Sequence, residues 1–298
     1  MKSALRAIIC ALMESRIQEL TASTAPSDEL RAAASVGIFD SGVGGFTVAG
    51  AVLKRRPDLN LVYFGDTLNM PYGGRSAEQL RRFAHNSIEF LLGKGIDLLA
   101  VGCNASNSVL GQGELHSFGV PVFDLVSSTL EIMRGMYGRP ERVALLATVA
   151  TINSRYWERK LLGAFPEMDL VPVAAPDLVP LIEAQQTDER LIRHALRKYL
   201  GPALDSGVRT VIHGCTHYPL LQDYMQELHP ELTFIDPAQC LAERLVASLT
   251  PAPHNAPPGR LRLFSSLPGE TFYRVGEQAL GRQVRQYSQM YIVNPHED

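Results

Sequence analysis

From Val36 onward the chain alternates short apolar runs with amphipathic stretches. VGIFD (36–40), NLVYFGD (60–66), DLLAVGCN (97–104), VPVFDLV (120–126), RVALLAT (142–148), DLVPVAA (169–175), RTVIHGC (209–215) and LTFIDPA (232–238) are near-continuous apolar segments that end in small or polar residues. Between them, stretches such as SAEQLRRFAHNSIEFLLGKG (76–95) and DERLIRHALRKYLGPALDSG (188–207) carry apolar residues at helical spacing. Buried strands alternating with helices predict an α/β fold with parallel sheets covered on both faces. TPAPHNAPPG (250–259) is too rich in proline for regular structure and reads as a surface loop.

The pattern also contains a weak internal echo. GCN (102–104) and GCT (214–216) each end a buried run ahead of a helical stretch, and FDSGVGG has a looser counterpart in LATVATINS (146–154). Two similar α/β units, each carrying one such cysteine, account for this. Ligands of α/β sheets bind beyond the carboxyl ends of the strands. Asp40, Cys103 and Cys215 all fall at such ends, which predicts one cleft shared by both units.

Residues 1–35 follow a different pattern. Lys2 and Arg6 ahead of AIICALM faintly resemble a signal peptide, but Glu14 and Arg16 follow directly. Leu5, Ile8, Ile9, Leu12, Ile17 and Leu20 instead describe an amphipathic N-terminal helical extension. Composition narrows the class further. The 298 residues are 46% hydrophobic and 20% charged, with a net charge of −3, so no basic footprint for nucleic acid exists. No apolar run approaches the roughly 18 residues of a membrane-spanning helix. The four cysteines, Cys10, Cys103, Cys215 and Cys240, are few and irregularly spaced, which favours a reducing, cytoplasmic setting over a disulfide framework.

The candidate chemistry lies at the strand ends. DSGVGG (40–45) fits neither a Walker A loop nor GxGxxG, and reads equally as a tight turn or as an anion-binding loop. GDTLNMPYGGRS (65–76) is a polar loop that reads first as a structural turn. HGCTHYP (213–219) offers three chemistries and one plain alternative. On an extended segment His213, Cys215 and His217 would share a face and could ligate zinc, although no fourth ligand is evident. Cys215 with a histidine base could serve as an acyl-transfer nucleophile. Cys215 could instead be an acid–base group, its pKa lowered by a following helix and by His217. The plain alternative is a buried thiol, which is how Cys10 and Cys240, on expected helices, are read. Cys103 in GCNASNS favours a pair. Two thiols facing each other across one cleft, with matched pKa values near the working pH, would remove a proton from one face of a carbon and return one to the other.

These motifs resemble a known family. GIFDSGVGGFTV, YFGDTLNMPYGGRS, GCNASNS, APDLVPLIE, HGCTHYPLL, FIDPAQCLAERL and ETFYRVGEQALG stand in the order found in glutamate racemases of the cofactor-independent aspartate/glutamate racemase superfamily. The resemblance runs from about Val36 to the C-terminus. It implies two α/β domains with the active site between them, no PLP and no metal. It implies catalytic roles for Cys103, acting on the D-enantiomer, and Cys215, acting on the L-enantiomer. Asp40 would assist the first, and His217 and Glu183 the second. Ser41, Pro71, Tyr72, Gly73, Asn104, the position of Ala105 and Thr216, together with Asp40 and His217, would hold the substrate's amino and carboxylate groups. It further implies a chain that leaves the first domain and returns to it, so that residues 36–125 and 238–298 form one unit and 126–237 the other. A small-molecule substrate, glutamate, and a homodimer complete the expectation, with D-glutamate supplied for peptidoglycan.

Four positions depart from the family pattern. Ala105 stands where CNT has threonine, Ala147 replaces the glycine of GTxxT, VPVFDLVSST lacks the GVIEPG run, and GDTLN replaces GDTAR. Ala105 removes a hydroxyl that would bond a substrate carboxylate. A racemase of aspartate or of broader specificity, and a weakly active paralogue that binds an acidic ligand, therefore stand beside glutamate racemisation as readings.

Overall fold

The computed structural model describes residues 34–136, 142–184, 188–267, 269–281 and 291–292. The expected N-terminal helix, with Cys10, falls outside these residues. Among the described residues there are ten strands: β1 Ser35–Asp40, β2 Asn60–Gly65, β3 Leu98–Val101, β4 Val122–Asp124, β5 Arg142–Ala147, β6 Asp169–Ala174, β7 Thr210–Gly214, β8 Thr233–Ile235, β9 Leu261–Ser265 and β10 Tyr291–Ile292. They form a six-stranded sheet in the order β10-β9-β2-β1-β3-β4 and a four-stranded sheet in the order β6-β5-β7-β8. Every pairing is parallel. All eight apolar runs form strands, and the α/β class holds.

Twelve α-helices among the described residues accompany the sheets: α1 Phe46–Arg55, α2 Ala77–Leu92, α3 Asn104–Asn107, α4 Gln112–His116, α5 Leu125–Met136, α6 Val149–Ser154, α7 Tyr156–Ala164, α8 Leu178–Glu183, α9 Glu189–Asp205, α10 Gln222–Leu228, α11 Pro237–Ala247 and α12 Glu270–Leu280. Their starts are written locally. Ser76 and Gln79 form a reciprocal capping box at α2, and the Asp236 carboxylate with Pro237 at the first helical position starts α11. At β4 the boundary differs from expectation. The run 120–126 contributes only Val122–Asp124 to the sheet, because Asp124 accepts the Ser127 N–H at 2.9 Å and opens α5 at Leu125.

Strand alternation explains why the runs are apolar throughout. Val36, Ile38, Leu61, Tyr63, Leu98 and Ala100 point to a core shared with α1, α11 and α12, whereas Phe39, Val62, Phe64, Leu99 and Val101 point to α2 on the other face. The second sheet repeats this. Ala144, Leu146 and Val211 pack against α9, and Val143, Leu145 and Ile212 pack against α5 and α7. Phe46 stacks on Tyr63 with ring centroids 4.2 Å apart, and truncating such a buried aromatic costs about 3–5 kcal/mol. Helix α11 joins the two sheets, placing Leu241 and Leu245 in the first core and Cys240 against the second. Among the described residues no helix is long and apolar enough to cross a membrane.

Candidate active site

Both sheets point their carboxyl ends at one cleft of about 230 Å³. Cys103, two residues beyond β3, lines it from the first sheet, and Cys215, directly beyond β7, lines it from the second. Ser41, Pro71, Tyr72, Gly73, Asn104, Ala105, Glu183, Thr216 and His217 line it as well. Asp40, fully buried, lies behind the wall and accepts a hydrogen bond from the Thr216 hydroxyl at 3.3 Å. The residues singled out by motif are thus brought together, with the exception of His213.

The DSGVGG turn is shaped by close approach. The Gly42 N–H donates to Asp40 Oδ1 at 2.8 Å, so this amide serves the chain's own carboxylate rather than an external anion. A Cβ on Gly44 would sit 2.5 Å from both His217 Nδ1 and Thr216 Oγ1. A side chain there would intrude on the opposite half of the cleft. The loop 65–76 is pinned from beneath by Asp66, which is fully buried and accepts from Tyr72 OH at 2.7 Å, from Ser266 Oγ at 2.8 Å and from Asn69 Nδ2 at 2.9 Å. The asparagine of GDTLN thereby helps hold the loop that carries Pro71 to Gly73. Ala147 is accommodated because β7 presents Gly214 opposite it, where a Cβ would come within 2.7 Å of the alanine methyl.

The two thiols stand in different electrostatic settings. At Cys103, burial and the neighbouring Asp40 charge push the thiol up to about 11, against the pull of the Ser106 and Ser41 hydroxyls. Burial first, and the negative charge of Asp40 second, set this thiol above the value expected of one matched to the working pH. Burial also raises Asp40, opposed by the His217 charge and by hydrogen bonds from Gly45, Gly42 and Thr216. On the other side, His217 Nδ1 lies 3.7 Å from Cys215 Sγ and its Nε2 lies 3.0 Å from Glu183 Oε1. Burial alone would depress this imidazole, but its contacts with Cys215 and Glu183 prevail and hold it well above 6.5. Both ring nitrogens then carry protons, one aimed at the sulfur and one at the carboxylate.

His213 corrects the reading of HGCTHYP as one extended face. Strand β7 ends at Gly214, and His213 lies inside the sheet, fully buried, with its ring 5.3 Å from Phe234. Burial lowers its pKa to about 3. It belongs to the core and not to the cleft. Among the described residues no three His, Cys, Asp or Glu side chains gather as a metal site, and Cys103, Cys215 and Cys240 are free thiols.

The cleft has further lining residues that motif reading passed over, among them Met70, Thr148, Val149, Thr151, Val179 and Pro180. Thr148 caps α6 by accepting the Thr151 N–H at 3.3 Å. The rule that ligands lie beyond strand ends, applied to β5 as it was to β1, β3 and β7, would have found this pair. The apolar residues carry no such signal.

Comparison with known proteins accords with this geometry. A glutamate racemase of Syntrophus aciditrophicus is 34% identical over 254 residues, covering 84% of this chain and 93% of its own. One from Desulforudis audaxviator is 35% identical over 260 residues, covering 84% and 94%. The crystal structure of glutamate racemase from Thermus thermophilus in complex with β-chloro-D-alanine superposes with a TM-score of 0.75 at 30% identity, covering 89% of this chain and 99% of that one. The model of the Asp/Glu/hydantoin racemase family matches residues 48–245, a span that includes both cleft thiols. On these grounds the chain belongs to the Asp/Glu/hydantoin racemase family and is an isomerase of the amino-acid racemase class.

Proposed function

We propose that this racemase interconverts L- and D-glutamate with two thiols, Cys215 taking the α-proton of the L-enantiomer and Cys103 that of the D-enantiomer. The observation that carries the reading is the placement of Cys103 and Cys215 on one cleft, each from a different sheet, with opposite charge behind them. In the L-to-D direction the Cys215 thiolate, facing the protonated His217, removes the proton from Cα. The Cys103 thiol then delivers its own proton to the opposite face, leaving a Cys103 thiolate and a Cys215 thiol. Glu183 holds His217 through Nε2, keeping the imidazole oriented toward the sulfur.

Asp40 has two tasks in this scheme. Its carboxylate attracts the substrate ammonium, and that incoming cation offsets the negative field that pushes Cys103 up. Binding therefore prepares Cys103 for its return step. Ser41, Asn104 and Thr216, with the backbone N–H groups of Tyr72 and Gly73 that Pro71 positions, hold the carboxylates, so the site needs no arginine. Names carried by the relatives support glutamate as substrate. Ala105 keeps a second reading open: without a hydroxyl there, aspartate or a broader range of amino acids becomes a competing substrate.

The same reading places the enzyme in the cytoplasm as a homodimer with no nucleic-acid or membrane partner, supplying D-glutamate for peptidoglycan. The chain divides into units 36–125 with 238–298, and 126–237. This division is supported by the strand order, in which β1–β4 and β9–β10 share one sheet and β5–β8 the other.

The test is NMR of L-glutamate incubated with the purified protein in D₂O without added PLP. Exchange of the α-proton with appearance of the D-isomer is the expected result. Cys103→Ser and Cys215→Ser should each lower racemisation by about 10²–10⁴-fold, the range of a positioned acid or base. Full activity in either variant ends the two-thiol reading, and turnover of a different amino acid instead reassigns the substrate.

A further inference from the structure

Next to Cys103, the side chain of Asn104 has an unusual set of partners. Its Oδ1 accepts the indole N–H of Trp157 at 3.0 Å. Its Nδ2 is buried and finds no acceptor among the described residues, although the side chain lines the cleft and is only 3% exposed. Trp157 does not line the cleft. It is fully buried on α7 among Val143, Leu145, Ile212 and Leu161, the core of the second sheet. Asn104 opens α3 directly after the first sheet's Cys103. The bond therefore runs from the interior of one half of the molecule to the reacting edge of the other.

An indole nitrogen can only donate. The atom facing Trp157 must then be the amide oxygen, and the opposite orientation would set N–H against NH₂. This fixes the amide with both Nδ2 protons turned away from Trp157, on a residue that lines the cleft beside Cys103. A buried amide with two unspent donors is costly unless a ligand accepts from it. Donors alone suit a carboxylate. Ala105, the next residue, offers no hydroxyl to share that task.

We propose that Trp157 is a positioning residue for substrate recognition: its indole N–H locks Asn104 in the orientation that donates to a carboxylate of the amino-acid substrate. The proposal rests on the reading of the cleft as the racemase site. Without the indole N–H, the amide is free to turn its oxygen toward the substrate carboxylate, which repels it. The loss falls on binding, and the two thiols stay where they are.

Because Trp157 is the chain's single tryptophan, its indole gives one ¹H–¹⁵N cross-peak, which serves as a direct readout. In the full-length protein, Asn104→Asp keeps an acceptor and should leave the cross-peak at or downfield of its wild-type position. Asn104→Leu removes the acceptor and should move it upfield. Addition of the amino acid that the enzyme turns over should shift the wild-type peak. In steady-state kinetics, Trp157→Phe should raise KM about tenfold, the worth of one hydrogen bond to a charged group, while kcat changes less than about threefold. A residue that only fills the core would lower kcat through a smaller folded fraction and leave KM alone.

The proposal is overturned by a cross-peak indifferent to both Asn104 variants, or by a folded Trp157→Phe enzyme with wild-type KM. Should Trp157→Phe not fold, the wild-type cross-peak decides the matter: no shift on addition of the racemised amino acid overturns the proposal. Kinetics are run on whichever amino acid of a panel the wild type racemises, so a substrate other than glutamate revises the function above and leaves this test intact. Turnover of no amino acid would end the proposed function, and the cross-peak would still report on the tryptophan–asparagine link.

Discussion

The Thr216 hydroxyl donates to Asp40 Oδ2 at 3.3 Å, joining the residue beside Cys215 to the carboxylate behind Cys103. It is a polar bridge between the two halves of the cleft. Thr216 in turn gives its carbonyl to the Thr47 hydroxyl at 3.1 Å, so the segment after β7 is held from the first residues of α1.

Removing that hydroxyl should disturb Asp40 first. Its pKa is raised by burial, and the Thr216 bond is one of the interactions that restrain it. Thr216→Val should therefore push Asp40 further up. Asp40 must be ionised to attract an ammonium, so the acidic limb of the kcat/KM profile should move to higher pH in the variant. A profile identical to wild type would show that Asp40 does not control that limb.

Gly44 gives a sharper geometric test. A methyl group there would lie 2.5 Å from His217 Nδ1 and from Thr216 Oγ1. The Gly44 carbonyl accepts the Thr47 N–H at 3.0 Å, a backbone bond that alanine retains. Gly44→Ala should displace the His217 ring from Cys215 and lower kcat/KM by about 10²-fold, the cost of misplacing a catalytic group by an ångström. Thermal unfolding should change little by comparison.

How far this site was legible in the sequence follows from where its residues sit. Strand ends pointed to both thiols and Asp40, because a small or polar residue after an apolar run has few structural reasons to be there, whereas Glu183, at the end of α8, was reached only through the family resemblance. Strand β9 was passed over: Arg262 interrupts its apolar residues, and Arg260 and the proline-rich segment before it read as loop. Trp157 was invisible for a different reason. A large apolar residue at helical spacing reads as core, which it is, and only the fold shows that its one polar atom reaches Asn104. His213 misled because two residues of spacing look like one face only while a strand continues, and β7 stops at Gly214.

His213 should mark the protein's acid stability. Its folded pKa is about 3 against 6.5 unfolded, because burial disfavours the charged ring. A depressed histidine contributes stability that is complete above 6.5. It is lost as pH falls, since the unfolded chain takes up a proton that the folded one refuses. At pH 5 the loss is about 2 kcal/mol. Asp236, raised to about 6 by burial, acts in the opposite sense between 6 and its ordinary value, so wild type must be compared with variant. In urea titrations from pH 8 to pH 5, His213→Leu should lose about 2 kcal/mol less than wild type. Equal losses would show that His213 is not buried neutral.

Ala105 is where substrate choice should be most open to change. The residue lines the cleft between Asn104 and the rest of α3 and is 7% exposed, in the same core cluster as Cys103 and Leu110. Ala105→Thr adds one donor beside the Asn104 amide. A hydrogen bond to a charged group contributes about 1.5–3 kcal/mol. If the hydroxyl reaches a glutamate carboxylate, KM for glutamate should fall by about ten- to a hundredfold with kcat little changed. Racemisation of glutamate and aspartate by both proteins measures the outcome. A gain for glutamate alone means that alanine relaxes recognition of the longer substrate. An equal gain for both places the hydroxyl at the α-carboxylate, which the two amino acids share. A loss for both would mean that the cleft of this enzyme is already filled at Ala105 and that its carboxylate contacts are complete without the hydroxyl.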